Sequence, residues 1–116
     1  MLGERVFSPS RKTARFAPMQ PVTVALMSGD IPMAYGIVSN ISEGGTCIQT
    51  NVLPTRQGFK VTLSFYNGEY VQAIGNVVWS EMTGGAATAG VEFYELSDVA
   101  RETLRAKLES TAFVAI

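Results

Sequence analysis

Arg11 and Arg15 stand four residues apart, with Lys12 between them, in a segment that shows no hydrophobic period; Asn40, Ser42, Gly44 and Gly45 follow at the end of a patterned stretch. A guanidinium is planar, permanently charged and presents a fork of donors. It pairs with two phosphate oxygens at once, or with the O6 and N7 edge of guanine, and it stacks on a flat base. Asparagine and serine supply small donors and acceptors, while consecutive glycines let a ligand come close to the backbone. Each half alone says little. Arg101 and Arg105 repeat the arginine spacing on a segment that reads as a surface helix, where solvated charge is the expectation. Asn-x-Ser-x-x-Gly also describes an ordinary strand-to-turn transition, in which Asn40 and Ser42 bond to backbone and Gly45 takes a positive φ. The two halves in this order, with a strand between them, make a candidate site for an anionic ligand carrying flat bases.

The elements that must position these groups are short strands. Residues 1 to 20 mix Ser, Pro, Arg and Ala, punctuated by Pro9 and Pro18 and closed by Pro21, and read as an arm. From Val22 the pattern turns to period two: Val22, Val24 and Leu26 share a face before the Ser28-Gly29-Asp30 turn. In the next strand, from Tyr35, the same period puts Ile37 and Ile41 inward and Asn40 and Ser42 outward. Thr46 to Asn51 resumes after the glycine pair. Phe59, Val61, Leu63 and Phe65 alternate cleanly up to Asn67-Gly68, the dipeptide that suits a type I′ hairpin. The returning strand, Tyr70 to Ser80, contains Gly75, a mark of a bulge or a close backbone approach. After Thr83-Gly84-Gly85 a further strand runs from Ala87 to Tyr94. A helix capped near Ser97-Asp98 then carries Ala100, Leu104 and Leu108 on one face and Arg105 and Lys107 toward its C-terminal end. Six short strands and one helix imply a small antiparallel barrel with the helix over one opening. Phe113, Val114 and Ile116 form an apolar tail that either covers the barrel, the favoured reading, or meets another subunit.

Length and composition narrow the function. A chain of 116 residues is one domain, long enough to bury a core. Its formal charge of −1 is unevenly spread: residues 1 to 20 carry Arg5, Arg11, Lys12 and Arg15 against Glu4, and the rest is net acidic. A basic arm before an acidic body argues against binding nucleic acid polymers, which need a broad electropositive surface. The single cysteine, Cys47, allows no internal disulfide. With no histidine, a Ser-His triad is impossible and structural zinc is all but excluded. Glu43, Glu69, Glu81 and Glu92 sit on separate turns or strands with no visible pairing. The expectation is a binding protein, not an enzyme, with no cofactor. No segment approaches the ~20 apolar residues of a membrane span, and the start lacks the apolar run of a signal peptide, so a cytoplasmic protein without membrane insertion is expected. Trp79, beside Val77 and Val78, reads as a sheet contact and receives no ligand role.

Arm before barrel, the two signatures resemble the PilZ domain family, bacterial receptors for cyclic di-GMP. Arg11 and Arg15, followed by Phe16, stand at the positions of the family's Arg-x-x-x-Arg, and Asn40, Ser42 and Gly45 fill its Asp/Asn-x-Ser-x-x-Gly. Gly75-Asn76-Val77-Val78-Trp79 and Gly90-Val91-Glu92-Phe93 look like its later strands, so the likeness covers most of residues 11 to 109. It implies an all-β fold: a six-stranded antiparallel PilZ-type β-barrel over residues 21–116, with a flexible N-terminal arm over 1–20 and one C-terminal α-helix. It further implies that cyclic di-GMP is the ligand, held by Arg11, Arg15, Asn40, Ser42 and Gly45, with Lys12 and Gly44 as secondary candidates. The arm wraps over the ligand and a downstream protein partner reads the result. Members often carry a second arginine beside the first motif arginine; here Ser10 and Lys12 flank it, which leans toward one bound ligand molecule over two. A monomer or weak dimer is expected. The alternative is a PilZ-like adaptor that works through protein contacts without the nucleotide, a reading that two intact signatures disfavour.

Overall fold

The computed structural model describes residues 14–53 and 57–116. Among the described residues, eight strands and one helix follow in order: β1 (Phe16–Pro18), β2 (Thr23–Ser28), β3 (Ile31–Ile41), β4 (Gly45–Thr50), β5 (Phe59–Ser64), β6 (Tyr70–Thr83), β7 (Ala86–Glu95), α1 (Asp98–Leu108) and β8 (Phe113–Ala115). Six of the strands pair in the order β2-β5-β6-β7-β4-β3, and a β2–β3 pairing closes the ring. Closure satisfies every sheet edge of the barrel proper, so none of these six strands offers a free ladder along its full length. The alternation that predicts the strands also fills the barrel: Val24 and Leu26, Val61 and Leu63, Ala89 and Val91, with Ile41 and Ile48, are at most 2% exposed.

Two short strands extend the sheet. β1 bonds to β3 through Phe16 opposite Ile41, and β8 bonds to β1 with Phe16, Ala17 and Pro18 opposite Ala115, Val114 and Phe113. The sequence predicts an irregular arm over residues 1 to 20; its stretch Phe16–Pro18 is instead a strand. Three residues carry no readable period, and it is pairing on both sides that makes them extended.

The period-two reading of β3 also needs correcting. Val38 is inside, 3% exposed, and Ile37 is outside, 54% exposed, whereas Ile41 is inside as expected. The register passes from Val38 opposite Ile48 to Asn40 opposite Cys47, leaving Ser39 as an extra residue. A β-bulge of this kind resets the phase of alternation, so residues before and after it cannot be assigned to faces by one count.

Turn chemistry changes places with its prediction. Asn67 does not take the positive φ that a type I′ turn demands; only Gly68 does, at 92°. Asn67 Oδ1 accepts from the Glu69 amide at 3.1 Å, while the Gly68 amide donates to the Phe65 carbonyl at 3.0 Å. This local bonding makes a wider loop. The two-residue turn with positive φ at both positions is Gly84-Gly85, at 59° and 85°, between the paired Thr83 and Ala86. At Gly75 both expectations hold: the β6–β7 register shifts there, and a side chain would meet the Glu92 carbonyl and Val91 at 2.9 Å.

Helix α1 is built as its sequence dictates. Ser97 Oγ accepts from the Ala100 amide at 3.1 Å, Asp98 occupies the first turn, and Arg105 and Lys107 occupy the last. Leu104 and Leu108 are buried and join Phe65, Phe113 and Val22 in the core at one barrel mouth. Phe113 meets Phe65 edge-on, with ring centroids 6.2 Å apart, and Lys107 lies 5.6 Å over the Phe65 ring while pairing with Glu69. The apolar tail is therefore intramolecular cover at Phe113, while Val114 and Ile116 remain exposed.

Candidate functional site

Arg15 sits immediately before β1, half-buried, and its Nε donates to Asn40 Oδ1 at 2.8 Å. Sequence spacing of 25 residues is collapsed by β1 lying beside the upper end of β3. Two of the predicted site residues are thus in direct contact. Arg11 and Lys12 lie outside the described residues.

The turn that follows Asn40 is tightly determined. Ser42 is 1% exposed, and its hydroxyl accepts from the Gly44 amide at 3.1 Å and faces the Gly45 carbonyl at 3.4 Å. The Ser42 amide donates to the Gly45 carbonyl, and the Phe93 amide donates to the Gly44 carbonyl at 2.9 Å, which ties the turn to β7. Ser42 is therefore not on an outward ledge with Asn40; its polar capacity is spent inside the turn. Gly45 does not take a positive φ either. Its missing side chain makes room for the Val91 carbonyl on β7, so the glycine serves a close backbone approach between strands.

Beyond Asn40 the register lays out a lateral row on the outer face. Asn40 pairs with Cys47 on β4, Cys47 with Gly90 on β7, and Gly90 with Trp79 on β6. Directly paired residues project from the same face of a sheet, and the neighbours Thr46, Ile48, Ala89 and Val91 are all buried inward. The Trp79 indole covers Gly90: a Cβ there would run into its Nε1, Cδ1 and Cε2. The ring is still 48% exposed. Arg15 and Asn40 thus stand at one end of this row and Trp79 at the other, with Cys47 and the indole-covered Gly90 between them. Two strand spacings, about 10 Å, separate Asn40 from Gly90. Partial burial raises the Cys47 thiol above its ordinary pKa, and the positive charge of Arg15 offsets part of that rise. A separate groove of about 590 Å³ at the α1 end, lined by Phe65, Phe113 and Lys107 among others, shares no residue with this row.

Comparison with family models matches residues 9–110 to the PilZ domain. The chain belongs to the PilZ domain family. Among solved structures it is similar to the PilZ domain with c-di-GMP of YcgR from Escherichia coli, at 12% identity and a TM-score of 0.59, over 82% of this chain and 86% of that one. It is also similar to the Bacillus subtilis inhibitor of motility MotI/DgrA, at 14% identity and a TM-score of 0.61, and to MrkH of K. pneumonia in its apo state, at 12% and 0.61. Each of these two is covered over about half its length, 55% and 52%, by 93% of this chain. At such identities the likeness establishes the shared fold. No curated protein matches the chain. No described helix of this PilZ domain is long and apolar enough to cross a membrane.

Two features of this surface and its turn escape sequence reasoning. Trp79 joins the row only because the β6–β7 and β4–β7 registers align it with Cys47, and residues 32 positions apart show no such signal along the chain. Arg105, read as solvated helix charge, reaches the signature turn: its Nη2 and Nε bond to the two Glu43 carboxylate oxygens at 3.1 and 3.4 Å. Hydrogen bonding and charge from Glu43, with the charge of Glu102, raise the Arg105 pKa further above its ordinary value.

Proposed function

We propose that this PilZ domain is a cyclic di-GMP receptor in which the ligand lies on the outer barrel face, between the arm and the row that runs from Asn40 to Trp79. The observation that carries the reading is the 2.8 Å contact between Arg15 and Asn40. It means that the arm's guanidinium already stands at the barrel wall, where no described residue engages its Nη groups and they suit a phosphate or a guanine edge. Arg11 and Lys12 add charge from the arm. Trp79 offers a flat face on which a base stacks. Ser42, Gly44 and Gly45 serve the ligand through the turn they hold, which fixes the end of β3 and hence Asn40.

Closure of the arm over the ligand gives the signal, because a ligand with different affinity for open and closed arms shifts their populations and changes the surface a protein partner meets. Titration calorimetry with cyclic di-GMP, with GTP and cyclic GMP as controls, tests the reading. Binding that is selective for the cyclic dinucleotide and lost in Arg15→Ala supports it. Equal binding by wild type and Arg15→Ala, or no binding by wild type, defeats it.

A further inference from the structure

Helix α1 and the chain that follows it hold the proposed clamp from both sides. Arg105 holds Glu43, the residue after Ser42 in the signature turn, and Ile116, which follows β8, donates its amide to the Arg15 carbonyl at 3.0 Å. Arg105 itself is half-exposed. It lies beside the fully buried Leu104, and its Nη1 faces Glu102 at 3.4 Å. With Glu43 on Nε and Nη2 and Glu102 on Nη1, the guanidinium has carboxylates on both edges and no fork left for a phosphate. Its work is done on Glu43.

We propose that Arg105 is a positioning residue for the nucleotide site: through Glu43 it holds the Ser42–Gly45 turn, and with it Asn40, in the geometry that receives the ligand. The inference rests on the cyclic di-GMP reading above. It makes ligand affinity and the docking of α1 linked quantities, since whatever strengthens one must strengthen the other. A helix that carries β8 at its far end then senses occupancy of a site it does not touch.

Charge supplies a test that a bystander role fails. Cyclic di-GMP is a dianion, so if Glu43 acted only through its field, Glu43→Gln would remove a repulsion and tighten binding. The positioning role predicts the opposite sign. Calorimetry with cyclic di-GMP is carried out on wild type, Glu43→Gln, Arg105→Gln, the double variant and Arg15→Ala, with thermal unfolding to show that each is folded. Expected are losses of about fivefold in both single variants and no further loss in the double, because each residue acts through the other. Tighter or unchanged binding in Glu43→Gln, or additive losses in the double variant, overturns the proposal. If wild type binds and Arg15→Ala does not, such a result overturns this proposal alone, whereas a wild type that fails to bind overturns the receptor reading with it.

Discussion

The Ile116 amide donates to the Arg15 carbonyl at 3.0 Å, so the residue that reaches Asn40 with its side chain is held through its backbone by the strand that follows α1. Hydrogen-bonded pairs alternate along an antiparallel ladder. With Ile116 bonded to Arg15 and the Met19 amide bonded to the Ala112 carbonyl, Ala17 and Val114 form the bonded pair between them. Val114→Pro therefore removes a donor from this ladder while altering a side chain that is 48% exposed. The expected outcome is a loss of about 1 kcal/mol in stability, an intact barrel by circular dichroism, and weaker cyclic di-GMP binding as Arg15 loses its backbone support. Affinity equal to wild type would show that β8 does not position the arginine.

Asn40→Ala leaves the Arg15 guanidinium without its barrel-side acceptor. Binding is expected to weaken by about 1.5–3 kcal/mol, roughly ten- to a hundredfold. Arg15→Ala should then cost less in the Asn40→Ala background than in wild type, a coupling that a double-mutant cycle reads directly. Asn40→Asp keeps an acceptor and makes it charged, so it holds Arg15 more firmly and should retain binding where alanine does not.

Gly90→Ala places a methyl group where the Trp79 indole lies. The ring must lift, at an overpacking cost of about 1–3 kcal/mol. Trp79 is the only tryptophan, so its emission moves to longer wavelength as the ring enters water, and ligand-induced changes in that emission shrink. An unchanged spectrum would place the ring elsewhere.

Cys47 gives a pH dependence with a definite sign. Burial outweighs the Arg15 charge and raises the thiol pKa on folding. The contribution to stability is complete below the unfolded thiol's pKa and is lost as pH rises through the higher folded value. Cys47→Ser should flatten stability in that alkaline window and leave it unchanged near neutrality, as measured by denaturant titration across pH.

Much of this architecture is legible along the chain because it depends on local period. β2, β5 and the face of α1 through Ala100, Leu104 and Leu108 follow their hydrophobic spacing directly, and Ser97 caps where its side chain can reach Ala100. Other features depend on what lies next door in space. Phe16–Pro18 is extended because β3 and β8 flank it, and Ile37 faces outward because one residue of β3 drops out of the ladder. Gly45 is small for the sake of the Val91 carbonyl, and Trp79 joins the row from Asn40 through successive registers. The signature residues are visible by type; the job each performs is set by its neighbours, which is why Ser42 proves to be part of the turn's own bonding.

Ser39 matters for direction. It has no opposite number on β4, so a chain without it would still send Val38 and Ile41 inward and Asn40 outward. What that shorter chain would lose is the bend a bulge imposes. Below Ser39, β3 borders β2 as far as Ile37; above it, at Ile41, the same edge borders β1. The swerve falls where this edge of β3 changes its partner from β2 to β1. Excising this one serine would leave a sound barrel with every recognition group still written in its sequence, and nowhere for the arginine to moor.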